Sequence, residues 1–403
     1  MREGSSSRAI TFRGNLSRSR HGWIRLTPAY SVELVERLVL SLPRRSRVLD
    51  PFCGSGTTLL TCSERGLACT TIDLNPFLVW LANAKAAHYD PRDCERALRL
   101  TSRMARAAEA GSERDPWVPP IANIERWWNA PTRVALGRAF ATLKRSRDSV
   151  PTKTLATLAF CRALIASASV SFGHQSMSFS NRGSHKATQV SSLLEAAALT
   201  LDETARSRLE RPQTRALVGD ARHLQRAVTR RRFDAVVTSP PYCNRMSYIR
   251  ELRPYMYWLG HLDLPSSAGE LDWQAIGGTW GVATSRLNRW RPTAAALDDS
   301  RELSAILGAI QTRSELLSRY VHRYFSDMRE HLHSLWRVLS PGATVHYVIG
   351  NSKFYDVLLP TERLLAQQLR EVGFAEVGLE TLRTRTSKTE LFEFLVTARK
   401  PLF

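Results

Sequence analysis

The tetrapeptide Ser239-Pro240-Pro241-Tyr242 combines a hydroxyl, backbone carbonyls and an aromatic ring that together can bind an aromatic amine. It follows the apolar segment FDAVV, which predicts a buried strand, and ligands of open α/β sheets bind where such strands end. Because consecutive prolines have fixed φ angles and no N–H groups, the carbonyls there are oriented without competition from local turns. The alternative interpretation is that the prolines only terminate the strand.

An aromatic amino group is a poor nucleophile, since its lone pair is delocalised into the ring. If the Ser239 hydroxyl and the Pro240 carbonyl each accept one N–H, the nitrogen is pushed toward tetrahedral geometry and its lone pair is directed outward. Tyr242 can stack on the face of a base that has been flipped out of a duplex. The tetrapeptide therefore predicts activation of an amino group for attack.

The segment DPFCGSGTT predicts a second binding element. Gly54 and Gly56 lie between a predicted strand and a predicted helix, where missing side chains let a ligand approach the backbone closely. The chain has no GxxxxGK[ST] pattern here and lacks the third glycine of GxGxxG, so phosphate binding is not indicated. Asp73 ends the next predicted strand, where a carboxylate can accept both hydroxyls of a ribose. An adenosine-type cofactor without phosphates fits, and the alternative is an ordinary glycine turn beside a helix cap.

The elements that must position these residues follow from the hydrophobic pattern. A buried strand at Val48 and Leu49 leads through the glycine turn into a helix ending near Gly66 and a second strand through Ile72. Helices are expected after Ser31 and over 325–339, and further strands at 216–220, 233–240, 343–350 and 391–400. Strands that alternate with helices predict an α/β fold with a doubly wound, mostly parallel sheet.

The domain organisation is expected to be one sheet domain with insertions. The sheet domain is predicted over 26–94 and 215–403, after a basic N-terminal arm at 1–25. The Ala/Arg-rich segment 95–214 reads as a helical insertion. Its Trp127-Trp128 pair belongs either to a lid that contacts nucleic acid or to the core of a helical support.

Composition restricts the function class. Lys and Arg exceed Asp and Glu by 20 charges, and the sequence pI is near 10.4, which favours a nucleic acid as the partner. The chain contains neither the roughly 20 uninterrupted apolar residues of a spanning helix nor an apolar leader, so a cytoplasmic protein is expected. Six cysteines without a CxxC pair are expected to be reduced thiols, and no metal site is expected.

Together the two segments resemble the amino-methyltransferase family of restriction-modification and related DNA methylases. In that family DPF(x)GSGTT is the cofactor motif and (S, N or D)PP(Y or F) is the catalytic motif. The resemblance covers most of 20–90 and 215–260 and implies a Rossmann-like methyltransferase fold with S-adenosylmethionine as cofactor. It implies that Asp73 holds the ribose and that the methionine part is surrounded by Asp50, Pro51, Phe52, Gly54, Ser55 and Gly56.

The resemblance extends to further residues and to the substrate. It implies that Thr27, Pro28 and Ser31 lie near the methionine carboxylate and that Asp220 accepts the adenine amino group. Members with serine at the first position of the catalytic motif mostly modify cytosine N4, so Ser239 favours that target and adenine N6 remains an alternative. Two rival functions are a guanine-N2 type RNA methyltransferase and a catalytically inactive, cofactor-binding DNA-binding protein.

Target recognition is expected to lie outside the two motifs. The segment 255–315 carries Trp280, Arg286, Asn288 and Arg289, which combine base-edge donors with an aromatic surface and are candidates for DNA binding. An ordinary surface loop is the alternative. Double-stranded DNA is the expected partner, a cognate restriction endonuclease is a further candidate, and a nucleoid-associated location is expected.

Overall fold

The computed structural model describes residues 12–26, 29–110, 116–171, 178–179, 187–207, 209–210, 213–229, 232–245, 247–278, 282–291, 300–385 and 390–402. The chain divides into two compact units. The sheet unit comprises 32–82, 210–249 and 269–403. The helical unit comprises 1–31, 83–209 and 250–268.

Eleven strands occur in the described residues. They are β1 Arg47–Asp50, β2 Ala68–Asp73, β3 Val170–Ser171, β4 Ser178–Phe179, β5 Thr214–Val218, β6 Phe233–Thr238, β7 Leu339–Gly350, β8 Ser352–Phe354, β9 Val357–Leu359, β10 Ala375–Thr384 and β11 Phe392–Arg399.

Fifteen α-helices occur in the same residues. They are α1 Phe12–Asn15, α2 Val32–Leu40, α3 Thr57–Glu64, α4 Pro76–Ala86, α5 Pro91–Glu109, α6 Ala130–Arg145, α7 Val150–Ala166, α8 Ala187–Ala205, α9 Leu224–Ala227, α10 Arg253–Trp258, α11 Ser267–Gln274, α12 Val282–Leu287, α13 Arg301–Gln311, α14 Glu315–Val338 and α15 Thr361–Val372. Short 3-10 helices lie at Ser19–Gly22, Ile124–Arg126 and Ala221–His223.

The sheet unit is built on a seven-stranded sheet with the order β10-β11-β7-β6-β1-β2-β5. The five strands from β7 to β5 are parallel, whereas β11 and β10 extend the sheet as antiparallel neighbours. The predicted mostly parallel α/β sheet is therefore confirmed. The antiparallel edge strand β10 has no counterpart in the sequence prediction.

The central strands of this sheet are buried because both of their faces are covered. Val48 and Leu49 of β1 and Val236 and Val237 of β6 are fully buried, as expected for interior parallel strands. The predicted helix after Ser31 is confirmed as α2. The predicted helix over 325–339 is confirmed as the last part of α14, with its apolar stripe in the core, although Leu339 already begins β7.

The helical unit has a core of its own, in which α5 packs against α6, α7 and α8. Trp258 of α10 lies in an aromatic cluster with Trp128 and Phe160, and the indole N–H of Trp128 donates to Leu164 O at 3.0 Å. Trp127 is also buried. The Trp127-Trp128 pair is therefore core, which supports the helical-support interpretation of the insertion.

The described part of the predicted basic arm is folded into the helical unit. Arg20 is 1% exposed, and its guanidinium donates to the backbone carbonyls of Lys85, Ala87 and Ala205. Its charge also lies 5.3 Å from the ring centroid of Tyr89. This arginine is a structural residue, because carbonyl dipoles satisfy a cation that would otherwise be too costly to bury.

All six cysteines are free and buried. Within the part of the chain that the structure describes, no helix has both the length and the apolarity needed to cross a membrane.

Candidate active site

The two chemical segments meet at one edge of the sheet. β1 and β6 are adjacent parallel strands, so their carboxyl ends lie side by side. Asp50 ends β1 and Thr238 ends β6, and the Thr238 hydroxyl donates to Asp50 Oδ1 at 2.5 Å. This hydrogen bond joins the glycine turn to the tetrapeptide across 188 positions of the sequence.

Asp50 is a fully buried carboxylate at the base of the glycine turn. Its Oδ1 atom accepts the Phe52 backbone N–H at 3.0 Å in addition to the Thr238 hydroxyl. Its Oδ2 atom is buried and has no hydrogen-bond donor among the described residues. Burial raises the pKa of Asp50 to about 6, although the hydrogen bonds from Thr238 and Phe52 oppose that shift. A positive group nearby would favour its ionised form.

The glycines of the turn have two different structural roles. Gly54 has φ +50°, and a Cβ atom there would meet nothing closer than Phe52 O at 3.9 Å. Gly56 has φ +79°, and a Cβ atom there would lie 2.7 Å from the Ala82 Cβ atom. Gly56 therefore permits close packing of α3 on α4, whereas Gly54 leaves open space above the backbone.

Asp73 ends β2 beside the same turn. Its Oδ2 atom accepts the Gly54 N–H at 2.9 Å, and its Oδ1 atom accepts the Asn75 N–H at 2.9 Å. Each oxygen of an ionised carboxylate can accept two hydrogen bonds, so each retains one acceptor position. Burial raises the pKa of Asp73 to about 6, and the two backbone hydrogen bonds oppose that shift.

The Phe52 ring packs edge-on against the buried His331 ring, with centroids 4.8 Å apart. His331 lies between Ala221 O, 2.9 Å from Nδ1, and the Tyr347 hydroxyl, 2.6 Å from Nε2. Burial lowers the pKa of His331 to about 4, although the Ala221 carbonyl opposes that shift. The imidazole is therefore neutral near pH 7 and supports the Phe52 ring from behind.

The tetrapeptide is held in place by three hydroxyl groups. The Ser239 hydroxyl donates to Val348 O of β7 at 2.9 Å. The Tyr324 hydroxyl donates to Pro241 O at 2.8 Å, and the Tyr242 backbone N–H donates to the Tyr248 hydroxyl at 2.8 Å. Because the Ser239 hydrogen is committed to Val348, the lone pairs of its oxygen are available to accept N–H groups.

Tyr242 is fixed at its hydroxyl and on one face of its ring. The hydroxyl donates to Glu393 Oε1 at 2.8 Å, and Glu393 in turn forms an ion pair with Arg383 at 2.8 Å. The Arg385 guanidinium lies 4.9 Å from the ring centroid, and its Nη1 atom donates to Asn351 O at 2.8 Å. Burial and the Glu393 charge hold the pKa of Tyr242 well above its usual value, so the phenol stays protonated.

Asp220 follows β5 at the same edge of the sheet and is engaged by Arg222. Its Oδ1 atom accepts the Arg222 backbone N–H at 2.9 Å, and its Oδ2 atom accepts Arg222 Nη2 at 2.7 Å. Arg222 also donates to Asp327 at 2.9 Å. Burial disfavours the Asp220 charge, but the Arg222 hydrogen bonds and charge outweigh it and hold the pKa of Asp220 below its usual value. The carboxylate is ionised, and much of its acceptor capacity is used by Arg222.

Known proteins resemble this chain over most of its length. A family model described as DNA methylase matches residues 14–84. The type II methyltransferase M.AvaI from Nostoc sp. is 21% identical over 414 residues, which cover 93% of this chain and 83% of that protein. The type II methyltransferase M.BsoBI from Geobacillus stearothermophilus is 23% identical over 447 residues, which cover 95% of this chain and 84% of that protein.

These matches confirm the predicted resemblance to the DNA amino-methyltransferase family. They support a methyltransferase activity with S-adenosylmethionine as the cofactor. The matched segment 14–84 contains the glycine turn and Asp73, whereas the tetrapeptide lies outside it. A short segment also matches the type II methyltransferase M.MjaII from Methanocaldococcus jannaschii, with 41% identity over 51 residues that cover 13% of this chain and 10% of that protein.

The glycine turn of this methyltransferase fits a sulfonium nucleoside. The open space above Gly54 admits a ligand against the backbone. The Asp73 oxygens each retain an acceptor position for a hydroxyl. The Asp50 Oδ2 atom is a buried acceptor of a carboxyl whose pKa is raised to about 6, which suits a cofactor with a positively charged amino group at its methionine end. The residues present are therefore compatible with S-adenosylmethionine.

The structure does not test the roles predicted for several residues in binding the cofactor or DNA. Thr27, Pro28 and Trp280 lie outside the described residues, and Ser31 is buried in the helical unit. In the sheet unit, Arg286 pairs with Glu270 at 2.7 Å, whereas Asn288 and Arg289 are exposed. The roles given to these residues stay predictions. Among the described residues, no group of three or more His, Cys, Asp or Glu side chains is arranged to bind a metal ion.

The residues that hold the tetrapeptide of the methyltransferase were not predicted from the sequence. Thr238 immediately precedes Ser239, and its position at the end of a predicted strand was a usable signal. Tyr248, Tyr324 and Glu393 act through tertiary hydrogen bonds, so no local spacing marked them.

Proposed function

We propose that this chain is a site-specific DNA methyltransferase that transfers a methyl group to N4 of a cytosine flipped out of the duplex. The observation that supports this most directly is the hydrogen bond between Thr238 and Asp50, because it joins the cofactor turn to the amine-binding tetrapeptide on adjacent strands. The names of the relatives, all type II methyltransferases, support DNA as the substrate and a cognate restriction endonuclease as a partner. A nucleoid-associated location would follow from that substrate.

S-adenosylmethionine, when bound, supplies a methyl group made electrophilic by the adjacent sulfonium. Residues 50–56 would surround its methionine part, with Gly54 providing the close approach to the backbone. The two free acceptor positions of Asp73 would each take one ribose hydroxyl. Asp220 would lie near the adenine, with Arg222 limiting the hydrogen bonds that it can still accept.

Ser239 and Pro240 would orient the amino group of the base. The Ser239 oxygen accepts one N–H, because its own hydrogen is donated to Val348. The Pro240 carbonyl accepts the other, and the carbonyl of Pro241 is already occupied by Tyr324. These two acceptors would hold the nitrogen with its lone pair directed toward the methyl group that S-adenosylmethionine would supply, with its sulfur as the leaving group. The amine proton is then lost to solvent.

Tyr242 would stack on the flipped base through the ring face opposite Arg385. The arginine covers one face of the ring and the hydroxyl is tied to Glu393, so a stacked base would have to lie on the other face. A rigid ring loses little conformational entropy when the base arrives, which favours the flipped state.

Cytosine N4 is favoured because Ser239 occupies the position that asparagine or aspartate holds in most adenine-N6 members. The test is to incubate the purified chain with labelled S-adenosylmethionine and duplex DNA, tRNA or protein, and to identify the product nucleoside. Label in N4-methylcytosine supports the proposal. Label in N6-methyladenine would show that the target is adenine N6, and label in RNA would show that the substrate is RNA. Stable DNA binding without methyl transfer would indicate a catalytically inactive DNA-binding protein.

Tyr242→Phe should retain stacking and lose the hydrogen bond to Glu393. A hydrogen bond to a charged group contributes roughly 1.5–3 kcal/mol, part of which positions the ring, so we expect kcat to fall by about tenfold. The affinity for S-adenosylmethionine should not change. Steady-state kinetics and cofactor titration of both proteins measure this, and an unchanged kcat would contradict the anchoring role of Glu393.

The affinity for S-adenosylmethionine should decrease as the pH falls through about 6. Asp73 and Asp50 both have a pKa raised to about 6 by burial, so acid protonates the oxygens that would face the ribose and the methionine part. The sign follows because the cofactor binds the ionised forms and competes with protons. Calorimetric titrations between pH 5 and 7 measure this dependence. Asp73→Asn should weaken binding at pH 7 and leave only the smaller pH dependence due to Asp50, whereas a constant affinity in the original protein would contradict the assignment.

A further inference from the structure

The exposed face of α5 carries a single row of arginines. Arg92, Arg96, Arg99, Arg103 and Arg106 follow one another at alternating intervals of four and three residues, which places them on one side of an α-helix. All five are exposed, and the opposite side of the helix is buried against the helical unit. We call this row the arginine ridge.

The dimensions of the arginine ridge match a nucleic acid strand. From Arg92 to Arg106 the helix rises about 21 Å at 1.5 Å per residue. One strand of duplex DNA presents a phosphate every 3.4 Å along the axis, so the ridge spans roughly six phosphates. A guanidinium binds a phosphate through two parallel hydrogen bonds, which an ammonium cannot do.

The carboxylates beside the ridge do not neutralise it. Arg99 lies 3.6 Å from Glu95, with side chains 69% and 61% exposed, and Arg103 lies 2.8 Å from Asp148. Exposed ion pairs of this kind are weak and are screened by salt. The described residues place no carboxylate within ion-pair distance of the remaining three arginines of the ridge. Like charges at these intervals destabilise a helix, so the row does not serve helix stability.

A basic segment, formed by the last residues of α6 and the turn that follows it, lies next to the ridge. Lys144, Arg145 and Arg147 are exposed, and they precede Asp148, which accepts a hydrogen bond from Arg103. The hydrogen bond from Ser146 lowers the pKa of Asp148, and the charges of Arg103 and Arg96 lower it further. The ridge and this basic segment therefore form one positively charged surface on the helical unit.

We propose that the arginine ridge binds the phosphate backbone of duplex DNA and thereby adds affinity that does not depend on sequence. This inference rests on the proposed function for the choice of DNA as the polyanion. Contacts with phosphates position a protein on the duplex, whereas contacts with base edges specify the sequence. Loss of the ridge should therefore weaken binding to every sequence equally.

The test compares the salt dependence of DNA binding in the full chain and in the triple variant Arg92→Gln, Arg96→Gln, Arg106→Gln. Glutamine keeps the helix propensity, and among the described residues these three side chains take part in no ion pair that the change would break. Fluorescence anisotropy with a labelled duplex of arbitrary sequence gives log K against log salt. Each lost phosphate contact reduces the slope by about 0.9, so the triple variant should lose about 2.7. When the salt concentration rises from 50 to 200 mM, the fold-loss of DNA affinity should therefore be about 40 times smaller in the triple variant than in the original protein.

A matched triple variant controls for net charge. Arg44, Arg45 and Arg313 are exposed in the sheet unit, and the first two precede β1, at the end of the strand opposite to Asp50. Their replacement by glutamine should leave the slope close to that of the original protein. The single variant Arg96→Gln should lose about 0.9 of slope, which guards against a folding defect in the triple variant. Equal slopes for the ridge variant and this control would overturn the proposal.

Two further measurements separate this inference from the proposed function. The ridge variant should methylate DNA with an unchanged kcat at saturating DNA. If it does so and its slope of log K against log salt is also unchanged, only the DNA-binding role of the ridge is refuted. If the original protein does not methylate DNA but the ridge variant has a smaller slope of log K against log salt, only the proposed function is refuted.

Competition with poly-glutamate tests an acidic protein as the partner. A ridge variant that loses affinity for poly-glutamate and keeps its affinity for DNA would overturn the DNA assignment.

Discussion

Replacing Ser239 with alanine should lower kcat by roughly 10²–10³-fold, the usual effect of removing one preorganised hydrogen-bonding group from a reacting centre. The Ser239 oxygen is oriented as an acceptor because its hydrogen is donated to Val348 O at 2.9 Å. Alanine removes that acceptor and leaves the amino nitrogen planar. Single-turnover methylation with saturating DNA and cofactor measures the chemical step directly.

The variant Ser239→Asn provides the matched comparison. Its side-chain carbonyl can accept an N–H, so it should retain more activity than alanine. The affinity for S-adenosylmethionine should be the same in all three proteins, since Ser239 directly follows β6 rather than lying on the cofactor turn. Alanine also leaves Val348 O without this donor, at a cost of about 1 kcal/mol of folding stability, which thermal unfolding records separately. An alanine variant with full kcat would exclude the amine-holding role.

The positions of both motifs at the sheet edge could be predicted from the sequence. Each motif directly follows a predicted strand, so each lies at the carboxyl end of that strand, where ligands of open α/β sheets bind. The pairing of β1 with β6 could not be predicted. It depends on the strand order, in which β6 follows β1 by a long chain segment yet lies beside it. The hydrogen bond between Thr238 and Asp50 is the direct result of that order.

Residues that act through tertiary contacts could not be predicted from the sequence for a different physical reason. Glu393 lies on β11, and it accepts a hydrogen bond from the Tyr242 hydroxyl, which is 151 positions away in the sequence. β10 was missed because as an edge strand it has little buried surface and therefore no clear apolar pattern. The burial of Arg20 could not be predicted, because the composition of the N-terminal segment gives its charge but not the backbone carbonyl groups that surround this side chain.

Gly54→Ala and Gly56→Ala should separate cofactor binding from folding. Both glycines have positive φ angles, so alanine costs roughly 1–2 kcal/mol at either position. At Gly54 the new methyl group enters open space that we assign to the cofactor. Gly54→Ala should therefore fold with a modest loss of stability and bind S-adenosylmethionine at least tenfold more weakly, a difference of about 1.4 kcal/mol. Isothermal titration calorimetry measures the affinity.

Gly56→Ala should instead lose mainly folding stability, because its methyl group would lie 2.7 Å from the Ala82 Cβ atom and 2.9 Å from its Cα atom. Overpacking adds roughly 1–3 kcal/mol to the cost of the positive φ angle. The double variant with Ala82→Gly should recover part of this loss, since the clash with the side chain of residue 82 disappears while the clash with its backbone remains. A double-mutant cycle of thermal unfolding gives that coupling. If Gly54→Ala bound the cofactor normally, or if both single variants unfolded alike with no coupling to Ala82, the two glycines would not have the separate roles that their surroundings indicate.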